Sequence, residues 1–350
     1  MKIAQIAPLA ESVPPQLYGG TERIVSYLTE ELVDLGHDVT LFASGDSITD
    51  AMLEAVLPQA LRLAPTTVDP MLAYAAMLER VAACAQDFDV VHAHIDWLHV
   101  PLLRRLGVPF LTTLHGRLDV PVLAERFDAA FEDAPFVSIS DAQRRPLSGT
   151  QACWLGTVYH GLPPNLLRPG SGDGGYLAFL GRIAPEKGPE AAVRIARAAG
   201  LPLRIAAKVD KADRRYFKKA VAPLIDGDRV QFVGEVDERG KGAFLGAATA
   251  LLFPIDWPEP FGLVMIEAMA CGTPVIAFPD GSVPEIVEHG VTGFVVEDER
   301  DAIDAVARLP QLDRGRVRQA FERRFTARRM AEDYLLLYRQ LTPAATLETA

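Results

Sequence analysis

The sequence is short of positive charge, of cysteine and of long apolar runs. Its 35 lysines and arginines are outnumbered by 46 aspartates and glutamates, for a net charge of −11. A nucleic-acid partner needs an extended basic face, so that class is excluded. A small anionic ligand is still allowed, because one cleft can be locally positive. The three cysteines, Cys84, Cys153 and Cys271, are scattered and odd in number. They give neither a disulfide framework nor metal-ligand spacing, and they fit a reducing compartment. No stretch reaches ~18 apolar residues, and the N-terminus has no long apolar segment with a cleavage site, so a soluble, cytoplasmic protein is expected. Also missing after the first apolar strand is Gly-x-Gly-x-x-Gly, the dinucleotide fingerprint.

What is present is enough apolar material for two cores: 350 residues, 49% of them hydrophobic. Residues 1–7 read as a strand. Gly19 and Gly20 precede a helical pattern over 24–35, and 39–42 is the next strand, completing a βαβ unit. Residues 51–86 read as helical. Further strands are expected at 90–94, 111–116 and 136–140. Asp87-Phe88-Asp89 is read as a turn before a strand, and Ser140 with Gln143 as a helix cap. The Pro- and Gly-dense stretch 162–175 reads as a linker, after which the pattern restarts with a strand at 176–180, a loop at 181–188, a helix at 189–199 and a strand at 203–207. The expectation is α/β: two similar domains with parallel sheets, 1–164 and 175–325, followed by a helix at 326–342. Within 314–329 the arginines read as a solvated helix face. A membrane-surface role for them is the weaker alternative, since no amphipathic anchor accompanies them.

The most informative stretch runs from Phe253 to Ala277. Pro258 and Pro260 flank Glu259 and hold it in an extended loop. Good helix formers follow from about 261 to 270, until Gly272 and Pro274 end the run. The first free N–H groups of this helix are expected on Phe261, Gly262 and Leu263, a site suited to phosphate. Glu267 lies inside the helix, roughly 8 Å along its axis from Gly262. Carboxylates accept paired hydrogen bonds, and a nucleotide sugar offers a diol at each end. Arg182 and Lys187, together on the loop after a strand, suit a diphosphate.

Glu259 and Glu267, within Glu-Pro-Phe-Gly-Leu-Val-Met-Ile-Glu, resemble the glutamate pair of the retaining glycosyltransferases of family 4, and Gly181-Arg-x-x-x-x-Lys-Gly188 resembles their phosphate-binding element. The resemblance implies the GT-B fold: two Rossmann-like domains across a cleft, the first on the acceptor side and the second binding the nucleotide sugar, with the last helix, 326–342, crossing back to the first. It also implies transfer of a hexose from a nucleotide-diphospho-sugar, a UDP-sugar being favoured. It assigns Glu259 to the donor sugar, Phe261, Gly262 and Leu263 to the diphosphate, and Glu267 to the ribose. Gly19 and Gly20 would reach the donor diphosphate, and His115, at the end of a strand, the donor sugar. Where the family often has Asn, this chain has His160. No cofactor or metal is required by that scheme, and the acceptor (sugar, lipid or small molecule) is left open. Alternatives in other classes are a sugar-nucleotide epimerase, a phosphorylase, a non-catalytic nucleotide-sugar binding module, or a metal hydrolase using His92 and His94 with Asp96.

Overall fold

Strand pairing is parallel throughout the computed structural model, which describes residues 1–16, 19–64 and 68–342. In the first sheet the strands are β1 (Lys2–Ile6), β2 (Asp38–Ser44), β3 (Met52–Leu57), β4 (Val90–Ala93), β5 (Phe110–Thr113), β6 (Pro135–Ser138) and β7 (Cys153–Thr157). Their order is β3-β2-β1-β4-β5-β6-β7. The second sheet holds β8 (Leu177–Arg182), β9 (Leu203–Lys208), β10 (Val230–Gly234), β11 (Ala250–Phe253), β12 (Val275–Ala277) and β13 (Gly293–Val295), in the order β10-β9-β8-β11-β12-β13. In both sheets the strand order reverses once, at β1/β4 and at β8/β11. Ligands of open α/β sheets collect at such points, beyond the carboxyl ends of the strands.

Central strands covered on both faces read as continuous apolar runs. Ala250-Leu-Leu-Phe253 and Val275-Ile-Ala277 are of this kind and are wholly buried. Phe42, Phe110, Phe127 and Phe136 fill the first core; Phe179, Ile205, Leu252 and Phe294 fill the second. The chain divides into two compact units, Met1–Pro163 with the segment from Ala327 onwards, and Pro164–Thr326. In the first unit, helix Ala327–Leu341 packs on helix Gly20–Asp34, and Arg328 lies 3.8 Å from Glu31.

Several elements differ from the sequence reading. Residues 52–57 form β3 rather than helix. Met-Leu-Glu-Ala-Val-Leu has good helical propensity, but pairing with β2 overrides it. The helix of that region begins only at Pro70, capped by the Asp69 carboxylate on the Met71 N–H at 2.8 Å. The expected linker is laid onto the second unit, where the N–H groups of Gly170 and Gly172 donate to Cys271 O and Gly246 O. Lastly, the arginines of 314–329 are not simply a solvated face. Arg314 donates to the carbonyls of Gly170, Gly246, Ala248 and Cys271 and to Thr273 Oγ1. Arg318 donates to the carbonyls of Pro164, Leu167 and Ala270.

Arg314 thus satisfies several carbonyls at once, and hydrogen bonds to a charged group each contribute about 1.5–3 kcal/mol. Arg314→Met is expected to destabilise the second unit by about 3 kcal/mol or more, read as a lower urea midpoint. An unchanged midpoint would show that water replaces the guanidinium.

Candidate active site

In the second unit the reversal point β8/β11 brings together the loop after β8 and the loop after β11. Pro185–Lys187 forms a single 3-10 turn after β8. The Asp256 N–H donates to Glu186 O at 2.9 Å and ties the two loops together. The helix expected from Phe261 begins at Leu263 and runs to Ala270. Gly262 is its cap, at φ +79°, a left-handed conformation that only glycine adopts readily. Its first-turn N–H groups therefore start at Leu263, two residues later than the sequence suggests. Phe261 lies in the loop, with its carbonyl accepting from Ser282 Oγ at 2.8 Å. Ser282 N–H donates to Glu259 O at 2.9 Å, and a Cβ on Gly281 would lie 2.3 Å from both the N and O of Glu259. The loop carrying Glu259 is clamped from behind by this Gly-Ser pair.

Glu259 is only 9% exposed. Its Oε2 accepts from the Lys187 ammonium and, at 2.9 Å, from the Trp257 indole N–H. Lys187 Nζ also lies over the Trp257 ring, 4.1 Å from its centre. Glu267, 5% exposed, accepts from Lys241 Nζ at 2.6 Å, and Lys241 reaches Glu238 at 3.4 Å. Arg182 faces carboxylates: Glu186 at 2.9 Å, Asp213 at 3.7 Å and Asp210 at 4.0 Å. Lys208 pairs with Asp210 at 3.1 Å. Arg182 is thus the last residue of β8 rather than part of the expected loop, and Lys187 lies in the turn after it, each with its own carboxylate partners. Lys241, Trp257, Asp210 and Asp213 escaped the sequence reading. Only Trp257, two residues before Glu259, lies within the informative stretch 253–277.

In the first unit the carboxyl ends of β1, β4 and β5 carry a buried polar chain. Gln5 Nε2 donates to the Tyr338 hydroxyl at 3.1 Å, and Gln5 Oε1 lies 2.9 Å from His94 Nε2. His94 Nδ1 is 2.9 Å from His115 Nε2. With Gln5 so oriented, His94 carries its proton on Nε2 and accepts at Nδ1 from His115, whose own Nδ1 is left as a buried acceptor without a partner. His92 is held by Tyr338 and Thr113, each at 2.8 Å. His160 stacks on His115, ring centres 5.2 Å apart. Gln143 braces the segment around His115, donating to Leu114 O and Gly116 O. Ser140 caps the following helix by accepting from Gln143 N–H.

All four ring nitrogens of His92 and His94 are therefore engaged within the fold, and no group of three metal-ligating side chains occurs among the described residues. The Asp89 carboxylate accepts from the Lys2 N–H at 2.7 Å, which is the work of a turn before a strand. Gly19 and Gly20 stand at the start of helix Gly20–Asp34, whose first turn holds the buried Glu22. Desolvation raises the Glu22 pKa above the ordinary carboxyl range. Tyr18, ahead of them, lies outside the described residues. No helix among those residues is long and apolar enough to cross a membrane.

Two family profiles match the chain: Glycosyltransferase Family 4 over residues 18–148, and Glycosyl transferases group 1 over residues 169–324. The D-inositol 3-phosphate glycosyltransferase of Mycobacterium tuberculosis is 28% identical over 292 residues, covering 71% of this chain and 60% of the relative. The chain thus spans about 60% of the length of such curated relatives. Among solved structures, AviGT4, a glycosyltransferase involved in avilamycin A biosynthesis, has a TM-score of 0.71 at 27% identity, over 97% of this chain and 98% of that one. Sucrose-phosphate synthase from Thermosynechococcus elongatus has a TM-score of 0.77 at 24% identity, with the same coverage. Anabaena HepE in complex with UDP and glucose has a TM-score of 0.74 at 18% identity, over 97% of this chain and 100% of that one. The last two are likenesses of fold. The chain belongs to the family-4 type of GT-B glycosyltransferase.

The buried histidines make a prediction about pH. Burial holds His92, His94 and His160 well below the ordinary range, and His99 and His115 down to about 3. Folding therefore removes protons that the unfolded chain binds below about pH 6.5. Stability is full above that pH and falls as the pH drops from about 6.5 towards 3, by up to ~1.4 kcal/mol per pH unit for each histidine. Urea midpoints at pH 7.5, 6 and 5 are expected to fall steeply. A flat series would mean that these groups charge without unfolding.

Proposed function

We propose that the chain moves a hexose-type sugar from a nucleotide-diphospho-sugar to an acceptor hydroxyl, with retention of configuration and without a metal. The observation that carries this is the meeting of Lys187 with Glu259 at the β8/β11 reversal, just ahead of the helix that begins at Leu263. An ammonium, a carboxylate and a helix N-terminus so arranged have the chemistry of a diphosphate-linked sugar. The cations take the phosphates and the carboxylate takes sugar hydroxyls. Glu259 holds Lys187. A diphosphate arriving at Lys187 exchanges for that carboxylate and frees it for the hexose.

Arg182 and the backbone at Phe261, Gly262 and Leu263 would complete the diphosphate contacts, Glu267 would receive the ribose diol, and His115 with Gly19 and Gly20 would contact the donor from the first unit. In the transfer step the acceptor oxygen forms its bond to the anomeric carbon as the bond to the diphosphate oxygen breaks. Attack comes from the leaving-group face, and a diphosphate oxygen takes the acceptor's proton. Catalysis is then positioning and electrostatic stabilisation of the departing diphosphate, and no side-chain base is assigned. Epimerisation and phosphorolysis suit the same fold, but the D-inositol 3-phosphate glycosyltransferase and AviGT4 favour glycosyl transfer. The complexes of HepE with UDP and with UDP-glucose make a UDP-sugar the first donor to try.

A thermal-shift screen of UDP, GDP, ADP and their sugar conjugates, with chelator present, tests the donor site. A ligand at a hundred times its dissociation constant stabilises by about 2.7 kcal/mol. One nucleotide is expected to stand out. Glu267→Ala should weaken that nucleotide, Glu259→Ala should lower turnover more than nucleotide affinity, and Arg182→Ala with Lys187→Ala should remove the shift. Wild-type behaviour in all of these variants would refute the site.

A further inference from the structure

The first unit has a site of its own at its strand-order reversal. A cavity of about 400 Å³ opens beyond the ends of β1, β4 and β5, lined by Pro8, Thr21, Tyr74, His94, Asp96 and His115 among others. Three features describe its chemistry. The Asp96 backbone, three residues beyond the end of β4, is left-handed, at φ +55°, a conformation uncommon outside glycine. Among the described residues its carboxylate has neither hydrogen bond nor ion pair. The Tyr74 oxygen accepts from the Leu9 N–H at 3.1 Å, which leaves its own proton to donate. His115 brings to the lining a ring with one nitrogen unpartnered.

Charge narrows the class of ligand further. The described lining contains no lysine or arginine. Asp96 and the buried Glu22 both act on Tyr74 as negative neighbours. The start of helix Gly20–Asp34 contributes a partial positive charge near Thr21, but Glu22 occupies its first turn. A phosphate or carboxylate placed here would face Asp96 with no lysine or arginine in the described lining to balance it. A hydroxyl could instead donate to Asp96 and accept from Tyr74.

We propose that this cavity is the acceptor site and that it takes an uncharged polyhydroxylated acceptor, a sugar or cyclitol bearing no phosphate. The proposal rests on the chain being a glycosyltransferase and adds the class of its second substrate. Asp96 is the discriminating group, taking two acceptor hydroxyls and rejecting an anion by repulsion. A chain so built parts company with relatives named for an inositol phosphate.

The test is a binding panel on the full chain saturated with UDP. Glucose, mannose and myo-inositol are compared with their monophosphates by saturation-transfer NMR, with titration of each member that gives a signal. At least one unphosphorylated member is expected to bind, with its phosphate at least tenfold weaker. Asp96→Asn, which keeps size and tolerates the same backbone, should bring the pair within about threefold. Preference for the phosphate, binding by no unphosphorylated member, or an unchanged ratio in Asp96→Asn would each overturn the proposal. The nucleotide response is read on the same samples. A normal response with a phosphate preference removes only the acceptor class, whereas loss of the response in the wild-type chain removes the donor site on which it rests.

Discussion

A carboxylate that is nine-tenths buried cannot stand alone, because desolvating an unpaired charge costs more than a fold of marginal stability can absorb. Glu259 meets that constraint through Lys187 and Trp257, and much of the second unit is arranged around them. The turn after β8 delivers Lys187, the loop after β11 delivers Trp257 and Glu259, and Gly281 with Ser282 closes behind. Replacing one partner would leave the other charged and buried. The same constraint recurs at Glu267, which is held by Lys241. Both glutamates of the family pair are thus held by a lysine.

The two units solve one topological problem twice. Each reverses its strand order beside its first strand, and each gathers its chemistry beyond the strand ends at that point. The chemistry differs in sign and in charge state. In the second unit cations and carboxylates are interleaved: Arg182, Lys187 and Lys208 stand among Glu186, Asp210, Asp213 and Glu259. In the first, neutral histidines, a glutamine and tyrosines form one buried hydrogen-bonded chain, with Asp96 at the cavity. An ion-rich site suits a diphosphate, and a largely neutral one suits hydroxyls.

Local signals made much of this legible in the sequence. Pro258 and Pro260 around Glu259, the Gly272 stop and the apolar runs of β11 and β12 each act within a few residues, so they could be read directly. What escaped depends on distant pairing. The segment 52–57 looks helical until β2 is beside it, and Lys241 is an ordinary helix lysine until Glu267 faces it. Gln5 sits in an apolar strand, and its importance comes from Tyr338, more than 300 residues away in sequence. Arg314 and Arg318 read as solvent-facing because the carbonyls they satisfy lie on other segments. The sequence pattern starts the helix two residues early because Gly262 is its left-handed cap and not part of it.

The most direct test of the Lys187–Glu259 exchange is a fluorescence titration with the best-binding nucleoside diphosphate, reading Trp257. Lys187 lies over that indole and Glu259 accepts its N–H, so withdrawing Lys187 to a diphosphate changes both contacts at once. The chain has three tryptophans, and Trp257→Phe isolates this one. The account predicts a saturable change in emission that is absent from Trp257→Phe while the nucleotide still binds. Saturation of the site with no change in emission, or a change that survives in Trp257→Phe, would contradict it.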